Sequence, residues 1–262
     1  MARREELTDE QWAILEPLIP ETPRRDDGRG RPELHSNRAV MNGILWVLRT
    51  GAAWCDLPDR FPSGTTCFRR FSRWVKSGVL RHILEALAQH LEEVGQINLS
   101  ECFIDGTFVL AKKGAQRFGK TKRGKGTKLM VIADATGLPL GVHTSSASPH
   151  EVTLVEATLD EIVTVGRPER IIGDRAYDSD PLDQRLAAKG IELIAPHKSN
   201  RKRAVTQDGR ALRRYRRRWK IERLFAWLNA FKRVLTRWER CADHYTGFVH
   251  LAFSVILMRR YL

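Results

Sequence analysis

The period of the hydrophobic pattern changes once, near residue 100, and that change limits the fold more than any other feature. Before it, apolar residues recur at helical spacing: Trp12, Leu15, Leu18 and Ile19, then Val40, Ile44, Val47 and Leu48, then Phe68, Phe71, Trp74 and Val75, then Leu80, Ile83, Leu84, Leu87 and Leu91. Start and stop residues bracket these stretches. Thr8 and Gln11 form a capping box, with Leu7 placed to staple against Trp12. Ser36 and Ser63 are helix starts, and Gly51, Gly78 and Gly95 are stops. After the change, the runs are short and rich in β-branched residues. Cys102–Leu110, Lys128–Ala133, Leu138–Thr144, Arg170–Asp174 and Ile191–Ala195 each predict a strand. Ser148-Pro149-His150-Glu151 predicts a capped helix reaching about Val165. Asp180-Pro181 opens another, a long helix runs from about Ala211, and Tyr245–Met258 is a last apolar one. The predicted order is four helices, then β-β-β-α-β-α-β-α-α. That describes an all-α segment over residues 1–96 and an α/β mixed sheet with helices on its faces over 97–262.

Charge narrows the partner. Lys and Arg number 45 against 31 Asp and Glu, a net charge of +14, and such a surplus calls for a polyanion, nucleic acid above all. The charged start MARREELTDEQW has no apolar run behind it, and no stretch approaches a membrane span, so a cytoplasmic, nucleoid-associated protein without a membrane partner is expected. The four cysteines show neither CxxC nor zinc-finger spacing and read as reduced thiols.

Against this basic background three acids stand out by position. Asp105 interrupts an apolar strand, where an unpaired charge is expensive. Asp174 ends another apolar strand, where sheet sites open. Glu222 lies on the long helix, with Arg218 four and Tyr215 seven residues earlier on one face. Three carboxylates drawn together repel unless a cation sits among them, and hard oxygen ligands suit Mg2+, with Mn2+ as a substitute. Two such ions would activate the attacking oxygen and stabilise the leaving oxygen of a phosphoryl displacement. Other fates stay open for each acid: Asp105 pairing with a buried Lys or Arg, Asp174 capping the turn toward Tyr177, Glu222 bridging to Arg218 or Arg223. Asp134, at a hairpin turn, Asp180, as a helix cap, and Asp178 and Asp183, as exposed acids, are rivals. His143 and His150 are read as structural.

Several basic groups are candidate DNA contacts. Arg69, Arg70, Arg73 and Lys76 line the polar side of a helix that follows a shorter helix and a turn, an arrangement suited to the major groove. Lys112, Lys113, Arg117, Lys120, Lys122, Arg123 and Lys125 crowd a Gly-rich loop after the Asp105 strand, with Lys128 just beyond, and suit a phosphate clamp. Lys198, Arg201, Lys202 and Arg203, with Arg213 to Lys220, add a second stripe. The tryptophans are read as core or interface residues.

These motifs together resemble the bacterial insertion-sequence transposases of the DDE superfamily, in the group of insertion sequences four and five. LTDEQWAILEPLIP, GRPE, NGILWVLRTGAAWCDLPDRFP and RRFSRWVKSGV resemble the helical domain that precedes the catalytic domain in that group. FIDGTFVLAKKG, GTKLMVIADATGLPLGVHTSSASPHE and IIGDRAYDS resemble its catalytic strands, and YRRRWKIERLFAWLNAFKRVLTRWE its third-acid helix, with the Tyr-x2-Arg-x3-Glu signature. The resemblance implies an RNase H-like sheet preceded by a helix-turn-helix-like DNA-binding segment. It implies Asp105, Asp174 and Glu222 as a metal-binding catalytic triad, supported by Tyr215 and Arg218, which contact DNA phosphate. The implied reaction is cleavage at terminal inverted repeats and joining of the 3′-OH ends to target DNA by a homodimer or larger assembly. An RNase H-like nuclease without strand transfer, and a catalytically silent DNA-binding protein, are the alternatives. One position departs from the signature: Asn229 stands where Lys is expected, and Lys232 and Arg233, one turn on, are candidate replacements.

Overall fold

The computed structural model describes residues 6–21, 34–112, 116, 118–122, 124–207 and 209–261, with Lys120 and Tyr261 described by backbone alone. Lys113, Arg117 and Arg123 therefore lie outside the described residues.

Helices α1 (Asp9–Leu15), α2 (Asn37–Thr50), α3 (Gly64–Lys76) and α4 (Val79–Glu93) form where the apolar spacing predicted them. The Thr8–Gln11 capping box closes at both ends, Ser36 and Ser63 cap α2 and α3, and Gly51 ends α2 in the left-handed region at φ 71°. Gly64 is obligatory for a different reason: a Cβ there would lie 1.9 Å from the Trp54 carbonyl oxygen.

Among the described residues the second half is built on seven strands, β1 (Cys102–Ala111), β2 (Gly119–Thr121), β3 (Gly124–Ala133), β4 (Pro139–Ser146), β5 (Arg170–Ile172), β6 (Glu192–Ile194) and β7 (Thr236–Arg237). Three of them, β1, β3 and β4, form an antiparallel meander, while β5 and then β6 add in parallel on the other side of β1. The main ladder is thus β4-β3-β1-β5-β6, the mixed sheet that the resemblance implies. Helices α5 (Val155–Leu159), α6 (Asp180–Ala187), α7 (Gly209–Leu212), α8 (Trp219–Leu228), α9 (Lys232–Leu235) and α10 (Ala242–Tyr261) complete the chain. α5 covers β3 and β4, α8 covers β1 and β3, and α10 packs on β4, α3 and α4. Phe248 of α10 stacks on Phe71 of α3 at 4.3 Å, so the N-terminal helices and the sheet share one continuous apolar core.

Three expectations are corrected. The helix predicted from Ser148 to Val165 is only a 3-10 turn over Glu151–Thr153 followed by the five-residue α5, and neither start has a side-chain cap. The long helix predicted from Ala211 is broken: Arg213–Arg218 winds as 3-10 before α8 begins. Five of the six residues in that turn are arginine, so it holds no acid of its own, and Arg214 and Arg217 reach across to Glu101. Strands β2 and β7 were not predicted. β7 is fixed by Arg237, fully buried, which donates to the Thr127 hydroxyl at 2.7 Å and to the Glu239 carbonyl at 3.0 Å. Among the described residues no helix is long and apolar enough to cross a membrane.

Candidate active site

The site begins with a gap in the ladder. β1 pairs with β5 only at Cys102↔Ile171 and Phe103↔Ile172, and with β7 only at Leu110↔Thr236 and Ala111↔Arg237. Between these contacts, residues 104–109 have no strand on that edge among the described residues. Asp105, inside β1, and Asp174, in the turn just after β5, each stand two positions past the last β1–β5 pair. Parallel neighbours lie about 4.8 Å apart where they pair, so this placement brings the two carboxylates near each other, and Asp174 adds repulsion at Asp105.

Local chemistry holds each one. Asp105 Oδ1 accepts the Gly106 amide at 2.9 Å, and Oδ2 accepts Arg218 Nη2 at 2.5 Å. Asp174 caps the 3-10 turn Arg175–Tyr177 by accepting the Ala176 amide at 2.7 Å. Two of the alternative fates are therefore realised: Asp105 does pair with an arginine, and Asp174 does cap the turn toward Tyr177. The arginine does not satisfy Asp105 fully. Burial pushes the Asp105 carboxyl up to about 6, with Arg218 and the Gly106 amide opposing and Glu151 and Asp174 adding repulsion. Arg218 resists burial because Asp105, Tyr215 and Asp174 hold it charged. Its Nε–H is buried without a partner among the described residues, and such orphan donors demand explanation. Tyr215 accepts Arg218 Nη1 at 3.4 Å, and the guanidinium lies 5.6 Å from the tyrosine ring.

Glu222 sits on α8 one turn beyond Arg218, is exposed, and has no hydrogen bond or ion pair shown among the described residues. No three His, Cys, Asp or Glu side chains among the described residues already stand close enough to hold a metal together. The arrangement is thus a carboxylate pair with a third acid one helical turn from the arginine that neutralises it. Hard oxygen donors, net repulsion and a single guanidinium as counter-ion fit a divalent cation in kind.

The sequence-based reading missed Glu151. Its carboxylate packs on Gly106, where a Cβ would fall 2.8 Å from Glu151 Cδ, and it accepts the Tyr177 hydroxyl at 3.1 Å. The rival acids are engaged structurally. Asp134 is fully buried and organises its turn by accepting the amides of Asn98, Thr136 and Leu138. Asp178, expected to be exposed, has a side chain only 4% exposed and bonds to His197 and Arg201. Asp180 pairs with Arg201 and Arg203 rather than capping α6.

The basic candidates divide in the same way. Arg69, Arg73 and Lys76 are exposed on α3, as are Lys112, Lys122, Lys125 and Lys232 elsewhere. Arg70 is instead 4% exposed and donates to Asn37, inside the helical layer. Arg233 is likewise buried, paired with Glu239 at 2.5 Å and bonded to the Gly51 and Ala52 carbonyls. Neither buried guanidinium is available to a phosphate. Lys128 turns inward to the Pro149 carbonyl at 2.6 Å and to Glu151 at 3.7 Å.

Comparison with known proteins gives this geometry its family. Residues 98–257, more than half of the chain, match the family described as "Transposase DDE domain".

The chain belongs to the DDE transposase family.

Residues 7–84 of the transposase also match the family described as "Putative transposase of IS4/5 family". The transposase is 32% identical over 158 residues to a putative transposase for insertion sequence element IS402 of Burkholderia cepacia, covering 54% of this chain and 71% of the relative. It is 40% identical over 118 residues to an uncharacterized 16.2 kDa protein of insertion element IS402 from the same organism, covering 44% and 80%. The structure of piggyBac transposase in a synaptic complex with hairpin DNA superposes with a TM-score of 0.51 at 11% identity, covering 97% of this chain and 72% of that one. At that identity the likeness concerns the fold alone, and it agrees with the RNase H-like α/β architecture. The transposase is an enzyme of DNA transposition, and its family uses divalent metal ions.

Proposed function

We propose that this transposase cuts DNA at the inverted repeats bounding its element and joins the freed 3′-OH ends to target DNA. Asp105, Asp174 and Glu222 are the catalytic residues and would hold the metal, Mg2+ with Mn2+ as a substitute. The observation that carries this reading is the matched placement of Asp105 and Asp174 where β1 and β5 part, with one guanidinium to neutralise them. When bound, divalent ions would supply activation of the attacking oxygen and stabilisation of the leaving oxygen. The chain's own groups do the positioning. Strand β1 presents Asp105, and the turn after β5 presents Asp174. Arg218, steadied by Tyr215, is the group that turns from Asp105 to a DNA phosphate.

Residues 1–96 serve as the DNA-binding part and residues 97–262 as the catalytic part. Exposed Arg69, Arg73 and Lys76, together with Lys112, Lys113, Lys122, Arg123, Lys125 and Lys232, are the phosphate contacts. Two ends must be joined, so at least two copies act together on DNA. The test is a supercoiled plasmid carrying the gene with its flanking DNA, incubated with the full chain and Mg2+. Metal-dependent cleavage that is lost in Asp105→Ala is expected, and full cleavage by that variant rejects the assignment. Pre-cut ends incubated with a second plasmid give joined product if the enzyme transfers strands; cleavage without joining leaves a plain nuclease.

A further inference from the structure

The splay between β1 and β5 needs something to set its width, because backbone pairing stops at Phe103↔Ile172. Past that point the two aspartate-bearing segments share no strand hydrogen bond among the described residues. A side-chain bridge crosses the gap. Tyr177 closes the turn that begins at Asp174 and is fully buried, its ring pressed on Gly173, where a Cβ would come within 2.6 Å of Cδ2. Its hydroxyl donates to Glu151 Oε2 at 3.1 Å. The Glu151 carboxyl rests on Gly106, whose amide donates to Asp105 Oδ1. Lys128 of β3, paired with Phe108 of β1, fixes Glu151 from the far side at 3.7 Å and the preceding Pro149 carbonyl at 2.6 Å.

Every position in this bridge has a steric or hydrogen-bonding reason to be where it is. Gly106 and Gly173 are the two places where the bridge touches the strands, and neither tolerates a side chain without displacement. The tyrosine is held as a donor: burial and the neighbouring Glu151, Asp105 and Asp174 all raise its pKa far above the ordinary phenol range.

We propose that Glu151 and Tyr177 are positioning residues of the transposase, clamping the Asp174 turn to the Asp105 strand and so fixing the spacing of the two aspartates. The inference rests on the reading of Asp105 and Asp174 as metal-holding residues. A bolt that merely stabilised the fold would affect melting and leave metal affinity and turnover alone. A clamp that sets ligand spacing affects metal affinity and kcat, as groups supporting metal ligands do by roughly 10- to 100-fold.

The experiment uses the full chain and three readouts: Mn2+ binding by electron paramagnetic resonance without DNA, kcat and KM for plasmid cleavage, and the melting temperature. Tyr177→Phe keeps the ring and removes only the donor. It should weaken Mn2+ binding and lower kcat by about 10-fold or more each, with KM within about twofold. Glu151→Gln, which keeps an acceptor for Tyr177, should fall between wild type and Glu151→Ala. The double variant Tyr177→Phe/Glu151→Ala should be no worse than the more damaged single, since both remove one bridge. Wild-type Mn2+ affinity and kcat in Tyr177→Phe, or fully additive single effects, would overturn the proposal. Asp105→Asn serves as the reference. If it keeps both Mn2+ binding and cleavage, the active-site reading fails and the clamp with it. If it loses both while Tyr177→Phe loses neither, the clamp alone fails.

Discussion

Asp105 and Asp178 are both acids drawn into the protein, and they live in opposite electrostatic surroundings. Only 4% of the Asp178 side chain is exposed, yet the Lys198 amide, His197 and Arg201 outweigh burial and hold its carboxyl below the usual range. Asp180 beside it is held low by Arg203 and Arg201. Around Asp105 the balance reverses. One arginine serves Asp105, while Glu151 and Asp174 crowd it, and burial lifts it to about 6. Asp183 shows that crowding acts within the matched cluster too, where burial, then Asp180 and Asp178, push it up to about 6. Asp178 and Asp180, each matched by arginine, tie a loop to a helix. A centre short of positive charge stores a demand that a cation or a phosphate-gripping arginine can meet. Net charge does not distinguish them; local neutralisation does.

That contrast can be broken at several points. The largest effect is expected at the under-neutralised centre. Asp174→Asn should lower metal-dependent plasmid cleavage by about 10³-fold, since several kcal/mol of charge stabilisation is at stake, while filter-binding affinity for DNA stays within about twofold. Residual cleavage near wild type would remove Asp174 from the centre. The next effect belongs to a buried ion pair and concerns stability. Arg233→Ala strands the buried Glu239 carboxylate and should cost about 3–5 kcal/mol in denaturant unfolding, with no specific loss of DNA affinity in protein that stays folded.

The third is a pH signature of Asp105 without metal. Its folded pKa lies above the unfolded one, so the folded state binds the proton more tightly and stability falls as pH rises between the two values. A displacement from 3.8 to about 6 corresponds to about 3 kcal/mol. In EDTA, Asp105→Asn should therefore be more stable than wild type above about pH 6, by about that amount. The gap should shrink as pH falls toward about 4, where the native acid is neutral too. Parallel melting curves across this range would refute the crowded-carboxylate account. The smallest effect is on the exposed basic face of α3. Lys76→Ala should weaken DNA binding a few-fold and reduce the salt slope by about 1; an unchanged slope takes Lys76 off the interface.

Much of this was legible in the sequence, for reasons that can be named. Asp105 and Asp174 stood out because a charge within or at the end of an apolar strand needs an explanation that propensity does not provide. The helix starts at Thr8, Ser36 and Ser63 were readable because capping is a local interaction between near neighbours. Glu151 was missed because a local explanation, the third position of a capped helix, accounted for it, whereas its actual partners Tyr177 and Lys128 are 26 and 23 residues away. Arg70 and Arg233 were misplaced for a related reason. Arg70 belongs to a basic helix face and Arg233 follows Asn229 as a replacement for the signature lysine, until the packing shows both turned inward, to Asn37 and to Glu239. The two-residue β7 has too little pattern to detect, and its anchor, Arg237, gains its meaning only from Thr127 across the sheet. Glu222 drew its weight from the Tyr-x2-Arg-x3-Glu spacing, and its exposure leaves it the acid whose role most needs direct measurement.

Iron-directed cleavage of the polypeptide makes that measurement. Fe2+ replaces Mg2+ at hard oxygen sites, and with ascorbate and peroxide it cuts the backbone beside the residues that bind it. In the transposase bound to the plasmid carrying its element, fragments ending near residues 105, 174 and 222 are expected, all suppressed by excess Mg2+. Cuts confined to the region of Asp178, Asp180 and Asp183, or none that Mg2+ suppresses, would contradict the account.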